Sequence, residues 1–175
     1  MTYHKRNLVL CAEDTEAASR ACKWLLESVY KENDVVHFIY VVKCMKPPMS
    51  IFHGLPGTAY QFEQPGTHNE LKHIETAKTV LRQRFLHLLQ PRNVKYELHL
   101  YAENVEAPAA KIGTLILEAA QNLDPTLVVT AAHNKLEASD RYMGDVGSVA
   151  LYLLENCKLP LAIIHPEEDG ADEAE

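Results

Sequence analysis

Short apolar runs alternate along this chain with longer segments whose apolar residues recur at helical spacing. The first run, NLVLCAE at Asn7–Glu13, has the uninterrupted apolar character of a strand buried on both faces. The segment after it places Ala18, Cys22 and Leu25 on one face, which predicts an amphipathic helix. A second buried strand, Asp34–Val42, comes next. This β-α-β order predicts a parallel sheet with a right-handed crossover.

The second half of the chain extends the same pattern. We predict, in order, a helix over Asn69–Gln90, a strand over Val94–Ala102, a helix over Val105–Leu123 entered through Pro108, a strand over Thr126–Ala132, a helix over Gly147–Asn156 and a strand over Leu159–His165. The third strand alternates only in part, which places it nearer an edge of the sheet. The sequence therefore predicts an α/β fold with an open, doubly wound, five-stranded parallel sheet in one domain, residues 1–166.

Residues 43–68 form a predicted loop that is too long for a plain connection in a compact domain. The loop contains Ile51, Phe52, Tyr60 and Phe62. Two interpretations stay open. The aromatic side chains pack on the domain as part of a surface meander, or the segment is a lid or a surface for a protein partner.

Charge and cysteine usage exclude several classes of protein. The net charge of -7 comes mainly from the acidic end PEEDGADEAE, so we predict a disordered tail over 167–175. The rest of the chain is near neutral without a Lys/Arg run, which argues against nucleic acid. No apolar run reaches the roughly 18–20 residues of a membrane span. Cys11, Cys22, Cys44 and Cys157 are scattered, as are the nine histidines, so we expect a cytoplasmic protein with reduced thiols and no metal site.

Ligands of open parallel sheets bind beyond the carboxyl ends of the strands, where the strand order reverses. The stretch GDVGS opens the last predicted helix at that edge, and Gly144 and Gly147 could present backbone N–H groups to an anion. We expect Ser148 to be the N-cap of this helix, with or without a phosphate contact. Asp14 or Thr15 would cap the first helix, and an alternative use of Glu13 and Asp14 is to hold Mg²⁺ if phosphates are bound.

The common catalytic motifs are missing from the sequence. A G-x-S-x-G nucleophile elbow does not occur, and CAEDTE after the first strand has none of the glycines of a dinucleotide-binding or Walker loop. We therefore name no catalytic residue, and we leave open whether the protein is an enzyme.

The chain resembles the universal stress protein family over residues 6–166. The likeness rests on NLVLCAEDTEAASRACKWL, on VEAPAAKIGTLILEAAQNLDPTLVVTAAH and on GSVALYLLENCKLPLAIIHP. The resemblance implies the strand order 3-2-1-4-5 with helices on both faces, and dimers formed through the fifth strand. It also implies two subgroups, of which one binds ATP through Gly-x-x-Gly, nine residues, and Gly-Ser or Gly-Thr.

This motif carries over only in part. Gly147, Ser148 and Val149 match its end, while its two earlier glycines fall on Asn134 and Glu137. The charge of Glu137 would repel a phosphate. In the resemblance, His133 precedes the motif, Glu13 replaces the usual Asp near the nucleoside, and Val41 lies on the adenine side. The candidate nucleotide-binding residues are Ala12, Glu13, Asp14, Val41, Ala132, His133, Gly144, Gly147, Ser148 and Val149.

The resemblance predicts a stress-response domain that binds ATP or AMP weakly, with Mg²⁺ only beside bound phosphates, or that acts through partner proteins. A slow ATPase or an AMP/ATP-sensing switch is one alternative. A nucleotide-free dimeric scaffold, with partners docked on loop 43–68, is another. The apolar run LPLAIIH would form an exposed edge strand, so we expect a homodimer through residues 159–165.

Overall fold

The computed structural model describes residues 5–44, 68–132 and 146–165. Five parallel strands form one sheet in the order β3-β2-β1-β4-β5. The elements are β1 Asn7–Cys11, α1 Glu16–Trp24, β2 Val35–Cys44, α2 His68–Leu89, β3 Lys95–Asn104, α3 Ala109–Asn122, β4 Leu127–Ala131, α4 Ser148–Asn156 and β5 Leu161–Ile164. The predicted fold class and strand order are confirmed. No helix within the described ranges is long and apolar enough to cross a membrane.

The central strand β1 is buried from both sides. Leu8 and Leu10 pack on the face covered by α1 and α2, whereas Val9 and Cys11 pack on the face covered by α3 and α4. All four side chains are at most 5% exposed. Because neither face meets water, β1 reads in the sequence as a continuous apolar run rather than an alternating one.

The face of α1 and α2 is built around aromatic packing. Phe38 of β2 is 1% exposed, and its ring centroid lies 5.3 Å from that of Phe85 on α2. The ring of Tyr96 on β3 meets Phe38 edge-on at 6.1 Å. Phe38 thus joins α2 and the edge strand β3 to the middle of the sheet.

On the other face, α3 and α4 approach each other closely at Gly113. A Cβ atom at this position would lie 2.3 Å from Cδ1 of Tyr152 on α4. The hydroxyl groups of Thr114 and Tyr152 lie 2.8 Å apart and share a hydrogen bond. Below this contact, Ile112, Ile116 and Leu153 are buried against β1, β2 and β4. The position of α4 is therefore fixed by α3 as well as by the sheet.

An ion pair whose carboxylate is buried joins the start of β1 to the start of β2. Arg6 donates from Nε to Oδ1 of Asp34 at 2.9 Å and from Nη2 to Oδ2 at 2.5 Å. The same Nη2 donates to the carbonyl of Val29 at 2.9 Å, and the backbone N–H of Lys31 donates to Asp34 Oδ2 at 2.8 Å. Asp34 is 2% exposed. The hydrogen bond to Asp34 raises the pKa of Arg6 above its ordinary value.

The core cysteines are free thiols. Cys11 and Cys22 are buried on opposite faces of the sheet, and burial raises the pKa of each to about 12. Cys157 is half-buried, also as a free thiol.

Several predicted boundaries differ from the structure. Pro108 is the N-cap of α3 rather than a residue of its first turn, so the helix begins at Ala109 and not at Val105. α1 continues as a π-helical segment, Leu25–Val29. β2 runs to Cys44 and α2 begins at His68, so both ends of the predicted loop 43–68 belong to regular elements. The remainder of that loop, 45–67, and the predicted tail, 167–175, lie outside the described residues.

Candidate functional site

The strand order reverses between β1 and β4. These two strands are neighbours, yet the chain leaves β1 towards β2 on one side and leaves β4 towards β5 on the other. A crevice at the carboxyl edge of a parallel sheet opens at such a reversal. Because α4 connects two parallel strands, it runs opposite to them and begins at this same edge. The order of elements thus places the start of α4 beside the crevice.

Two small buried residues follow the strands on either side of the reversal. The N–H of Ala12 donates to the carbonyl of Ile39 at 2.8 Å, and the N–H of Ala132 donates to the carbonyl of Ile164 at 2.9 Å. Ala12 is 4% exposed and Ala132 is 1% exposed. Their methyl groups add little bulk at these two positions, so a ligand could approach the backbone closely there.

The start of α4 has the geometry of an anion site. Gly147 is the N-cap, with φ 79° and ψ 148°, a conformation that is essentially restricted to glycine. Its carbonyl accepts the hydrogen bond of Leu151 N–H at 2.9 Å. The prediction that Ser148 caps this helix is wrong, because Ser148 is its exposed first residue. A glycine cap has no side chain to accept from the first-turn N–H groups, and none of the described residues caps them with a side chain.

The other side of the crevice is acidic. Thr15 caps α1 by accepting from Ala18 N–H at 3.1 Å, so of the two predicted caps Asp14 is the wrong one. Asp14 Oδ1 instead accepts from Arg84 Nε at 2.7 Å, and Glu16 Oε1 accepts from Arg84 Nη1 at 2.7 Å. The hydrogen bonds that Arg84 donates, to Glu16 above all and then to Asp14, raise the pKa of Arg84. Arg84 comes from α2, and no local sequence signal pointed to it.

Glu13 adds negative charge at the end of β1. Burial raises the pKa of Cys11 most strongly, and the charge of Glu13 adds to the shift. Burial, Asp14 and Glu13 together raise the pKa of Tyr40 in β2. An anion is therefore disfavoured at the β1 end of the crevice and favoured at the α4 end.

Some of the predicted site residues lie within the described ranges and others do not. Val41 of β2 and Val149, in the first turn of α4, pack half-buried on the same apolar cluster, which also contains Val9 and Ile39. His133 and Gly144 lie outside the described residues, as do Asn134 and Glu137.

The sequence reasoning missed a separate cluster of polar side chains. His37, Glu97 and His99 lie together on β2 and β3, with ligand atoms all within 4.8 Å of one another. The wide spacing of the histidines along the chain predicts no metal site, so sequence spacing alone does not reveal this cluster. The signal was the alternation of Glu97 and His99 along one strand, which puts both on one face.

The family model described as the universal stress protein family matches residues 5–165. A search of curated proteins gave no match. Among solved structures, the chain is similar to a protein of the universal stress protein family from Burkholderia pseudomallei, with 20% identity, a TM-score of 0.55, and coverage of 91% of this chain and 95% of that one.

Two similar structures were solved with an adenine nucleotide. One is a universal stress protein family protein from Arabidopsis thaliana with AMP bound, 11% identical, with a TM-score of 0.54 and coverage of 97% of both chains. The other is a universal stress protein in complex with cAMP, 14% identical, with a TM-score of 0.56 and coverage of 93% of this chain and 98% of that one. At these identities the likeness shows the fold.

Proposed function

The chain belongs to the universal stress protein family, and from that premise we propose that it binds an adenine mononucleotide at the carboxyl edge of β1 and β4. The conformation of Gly147 carries this proposal. It leaves the first turn of α4 with backbone N–H groups that no cap side chain occupies. The helix dipole adds partial positive charge at the same point. The AMP and cAMP of the two similar structures support an adenine nucleotide as the ligand class.

The charges of the crevice orient the nucleotide. The phosphate lies at Gly147 and Ser148, where N–H groups and the helix dipole favour an anion. The adenine ring lies near Val41, which is half-buried against the apolar cluster on which Val149 also packs. The ribose lies towards Glu13, since a carboxylate accepts hydrogen bonds from hydroxyl groups and repels phosphate. This orientation keeps the anion away from the acidic end of β1.

A single phosphate suits this chain better than three. The motif glycines that would present further N–H groups are replaced by Asn134 and Glu137. Glu13, Asp14 and Glu16 add carboxylates near the start of α1, of which two are held by Arg84. Additional phosphate charge therefore meets more repulsion and fewer donors. We infer that AMP binds at least as tightly as ATP, and that Mg²⁺ enters only with a polyphosphate.

The first experiment is to denature the purified protein and identify any released nucleotide by chromatography. Calorimetric titration with AMP, ATP and adenosine then follows. We expect saturable AMP binding, with adenosine weaker by at least about tenfold because it lacks the charge that the helix end attracts. No released nucleotide and no binding at millimolar AMP would overturn the proposal and favour the nucleotide-free scaffold. Tighter binding of ATP with release of phosphate would favour the slow ATPase.

Replacing Ser148 by aspartate separates the site from the fold. A carboxylate in the first turn stabilises a helix by about 0.3–1 kcal/mol, so the variant should be at least as stable as the original protein. The same charge opposes a phosphate about 5 Å away, and we expect AMP affinity to fall at least about tenfold. Ser148→Asn is the matched control, because it has the shape of aspartate without its charge. Equal loss of affinity in both variants would argue for a steric effect and against an anion at this position.

We further propose that two copies of the chain pair through residues 159–165. β5 is an edge strand whose four residues are all half-buried. The carbonyls of Pro160 and Ile164 accept hydrogen bonds from β4, so the backbone groups of Ile163, between them, face away from the sheet. An unpaired strand edge is a template for pairing with a second copy.

Light scattering tests this interface. We expect a dimer at micromolar concentration, and we expect Ile163→Pro to give a monomer, because proline removes an outward N–H and leaves the ladder to β4 intact. Ile163→Val preserves the N–H and should remain dimeric. A monomeric original protein, or an Ile163→Pro variant that folds and still dimerises, would refute the interface.

A further inference from the structure

The cluster of His37, Glu97 and His99 lies on two neighbouring strands. In the β2–β3 ladder His37 stands opposite Glu97, and His99 follows two residues later on the same face of β3. His37 shares its face with Ile39, which packs under α3. Parallel pairing and the strand period thus bring together three side chains of the types that bind metal ions.

The separations of the ligand atoms fit one coordination sphere. His37 Nδ1 lies 3.0 Å from His99 Nε2 and 3.4 Å from Glu97 Oε2, and the last two atoms are 3.8 Å apart. Two ligands of a tetrahedral zinc ion, each at about 2.0–2.1 Å from the metal, are about 3.3–3.4 Å from each other. The three observed separations straddle this value, so small side-chain rotations suffice to place a cation at equal distance from all three atoms.

Burial changes in steps across the cluster. The side chain of His37 is 5% exposed, that of His99 24% and that of Glu97 57%. Burial lowers the pKa of His37, with His99 and Lys5 acting in the same direction and Glu97 against them. One ligand is anchored in the sheet while the carboxylate faces water.

A purely structural role accounts poorly for His37. Its ring can share one hydrogen bond with His99 through Nδ1, but Nε2 is buried without a partner among the described residues. A buried polar group without a hydrogen-bond partner destabilises the folded state. The flanking buried positions of β2 are filled by Val36 and Phe38, which carry no such cost. His37 Nδ1 faces both a second imidazole nitrogen and a carboxylate oxygen, so Nδ1, and not Nε2, is the atom placed to bind a cation.

We propose that His37, His99 and Glu97 bind a zinc-class divalent metal ion through two imidazole nitrogens and one carboxylate oxygen. The exposed side of Glu97 leaves a fourth position to water. Two nitrogens and one oxygen suit Zn²⁺ and Co²⁺ better than Ca²⁺ or Mg²⁺, which take oxygen ligands. The site lies about 13 Å from Val41 along β2 at the usual rise per residue, so it does not depend on the proposed nucleotide site.

Titration of the chelator-treated full chain with Co²⁺ and Zn²⁺ tests the proposal. We expect one equivalent of Co²⁺ to give the visible bands of a four-coordinate nitrogen and oxygen site, and Zn²⁺ to displace it. Glu97→Gln and His99→Gln should each weaken Zn²⁺ binding at least about tenfold. Loss of a residue that only hydrogen-bonds a metal ligand already lowers metal affinity by about 10–100-fold. Both positions are partly exposed, so these variants should fold. Bound zinc should raise the unfolding temperature of the original protein, but not that of the variant that carries both Glu97→Gln and His99→Gln.

His87→Gln is the matched control, because His87 is an exposed histidine on α2 outside the cluster. It should bind zinc as the original protein does. The proposal fails if micromolar Zn²⁺ does not bind, or if Glu97→Gln and His99→Gln bind it with unchanged affinity. A thiolate-to-cobalt absorption band would also overturn it, since it would place the metal on cysteine.

Discussion

Replacing Arg6 by methionine is expected to lower the free energy of unfolding by about 3–5 kcal/mol, the usual cost of removing one partner of a buried ion pair. The substitution leaves Asp34 in the interior, 2% exposed, with its charge no longer balanced by the guanidinium. Within the described residues, the backbone N–H of Lys31 remains as a donor to this carboxylate. Methionine keeps the length of the aliphatic stem, so the loss reports the ion pair more than packing.

Urea unfolding measures this loss, and two further variants define its origin. Arg84→Met removes a guanidinium whose partners are 49% and 79% exposed, so it should cost no more than about 1 kcal/mol. Adding Asp34→Asn to Arg6→Met removes the buried charge and should restore part of the stability. A cost for Arg6→Met no larger than that for Arg84→Met would show that the pair at the start of β1 contributes little.

The second large effect is expected at Phe38, where substitution by alanine should cost about 3–5 kcal/mol. Its ring is 1% exposed and contacts Phe85 of α2 and Tyr96 of β3, so truncation opens a cavity between a helix and two strands. Phe38→Leu fills most of that space and should lose clearly less. Chemical unfolding gives both values.

Tyr96→Ala is the comparison that tests this explanation. Tyr96 is 38% exposed, so its loss removes an aromatic contact without leaving an enclosed cavity. We expect a smaller cost than for Phe38→Ala. If the two variants lost similar stability, the aromatic contacts rather than the filled volume would dominate this part of the core.

The sheet was predictable because burial on both faces leaves a direct trace in the sequence. β1 has apolar side chains on both sides, and so its run of apolar residues is unbroken. The end of β3 left no such trace. β3 continues past the predicted Ala102 to Asn104 because Lys43 and Cys44 of β2 pair with its last residues. Glu103 is 6% exposed at this end of β3 and forms a salt bridge with Lys111. Glutamate is uncommon in strands and therefore gives no strand signal in the sequence.

Local capping rules limited the candidate N-cap residues of the helices but did not identify the correct one. Both Asp14 and Thr15 are good caps by residue type, and the structure uses Thr15 because Arg84, 70 residues away from Asp14 in the chain, holds the aspartate. A partner so distant in sequence has no local signature. At α4 the error was a single residue, since Gly147 and not Ser148 occupies the cap.

The candidate sites differ in how much of each is encoded locally. The proposed anion site at α4 was predictable because glycine, serine and an apolar helix follow one another directly in the sequence. The cluster of His37, Glu97 and His99 was not found, because its members come from two strands whose register only the folded sheet defines. Period-two pairs of ligand residues on predicted strands are the pattern that would have revealed it.

The buried thiols of Cys11 and Cys22 can report when the core opens to solvent. Thiol reagents react with thiolates, and at pH 8 a thiol whose pKa is about 12 is almost entirely protonated. Cys11 and Cys22 therefore stay unlabelled in every closed molecule, one beneath each layer of helices. The rate at which each is alkylated then gives the frequency with which its own layer separates from the sheet. A difference between the two rates would reveal that the layers open independently.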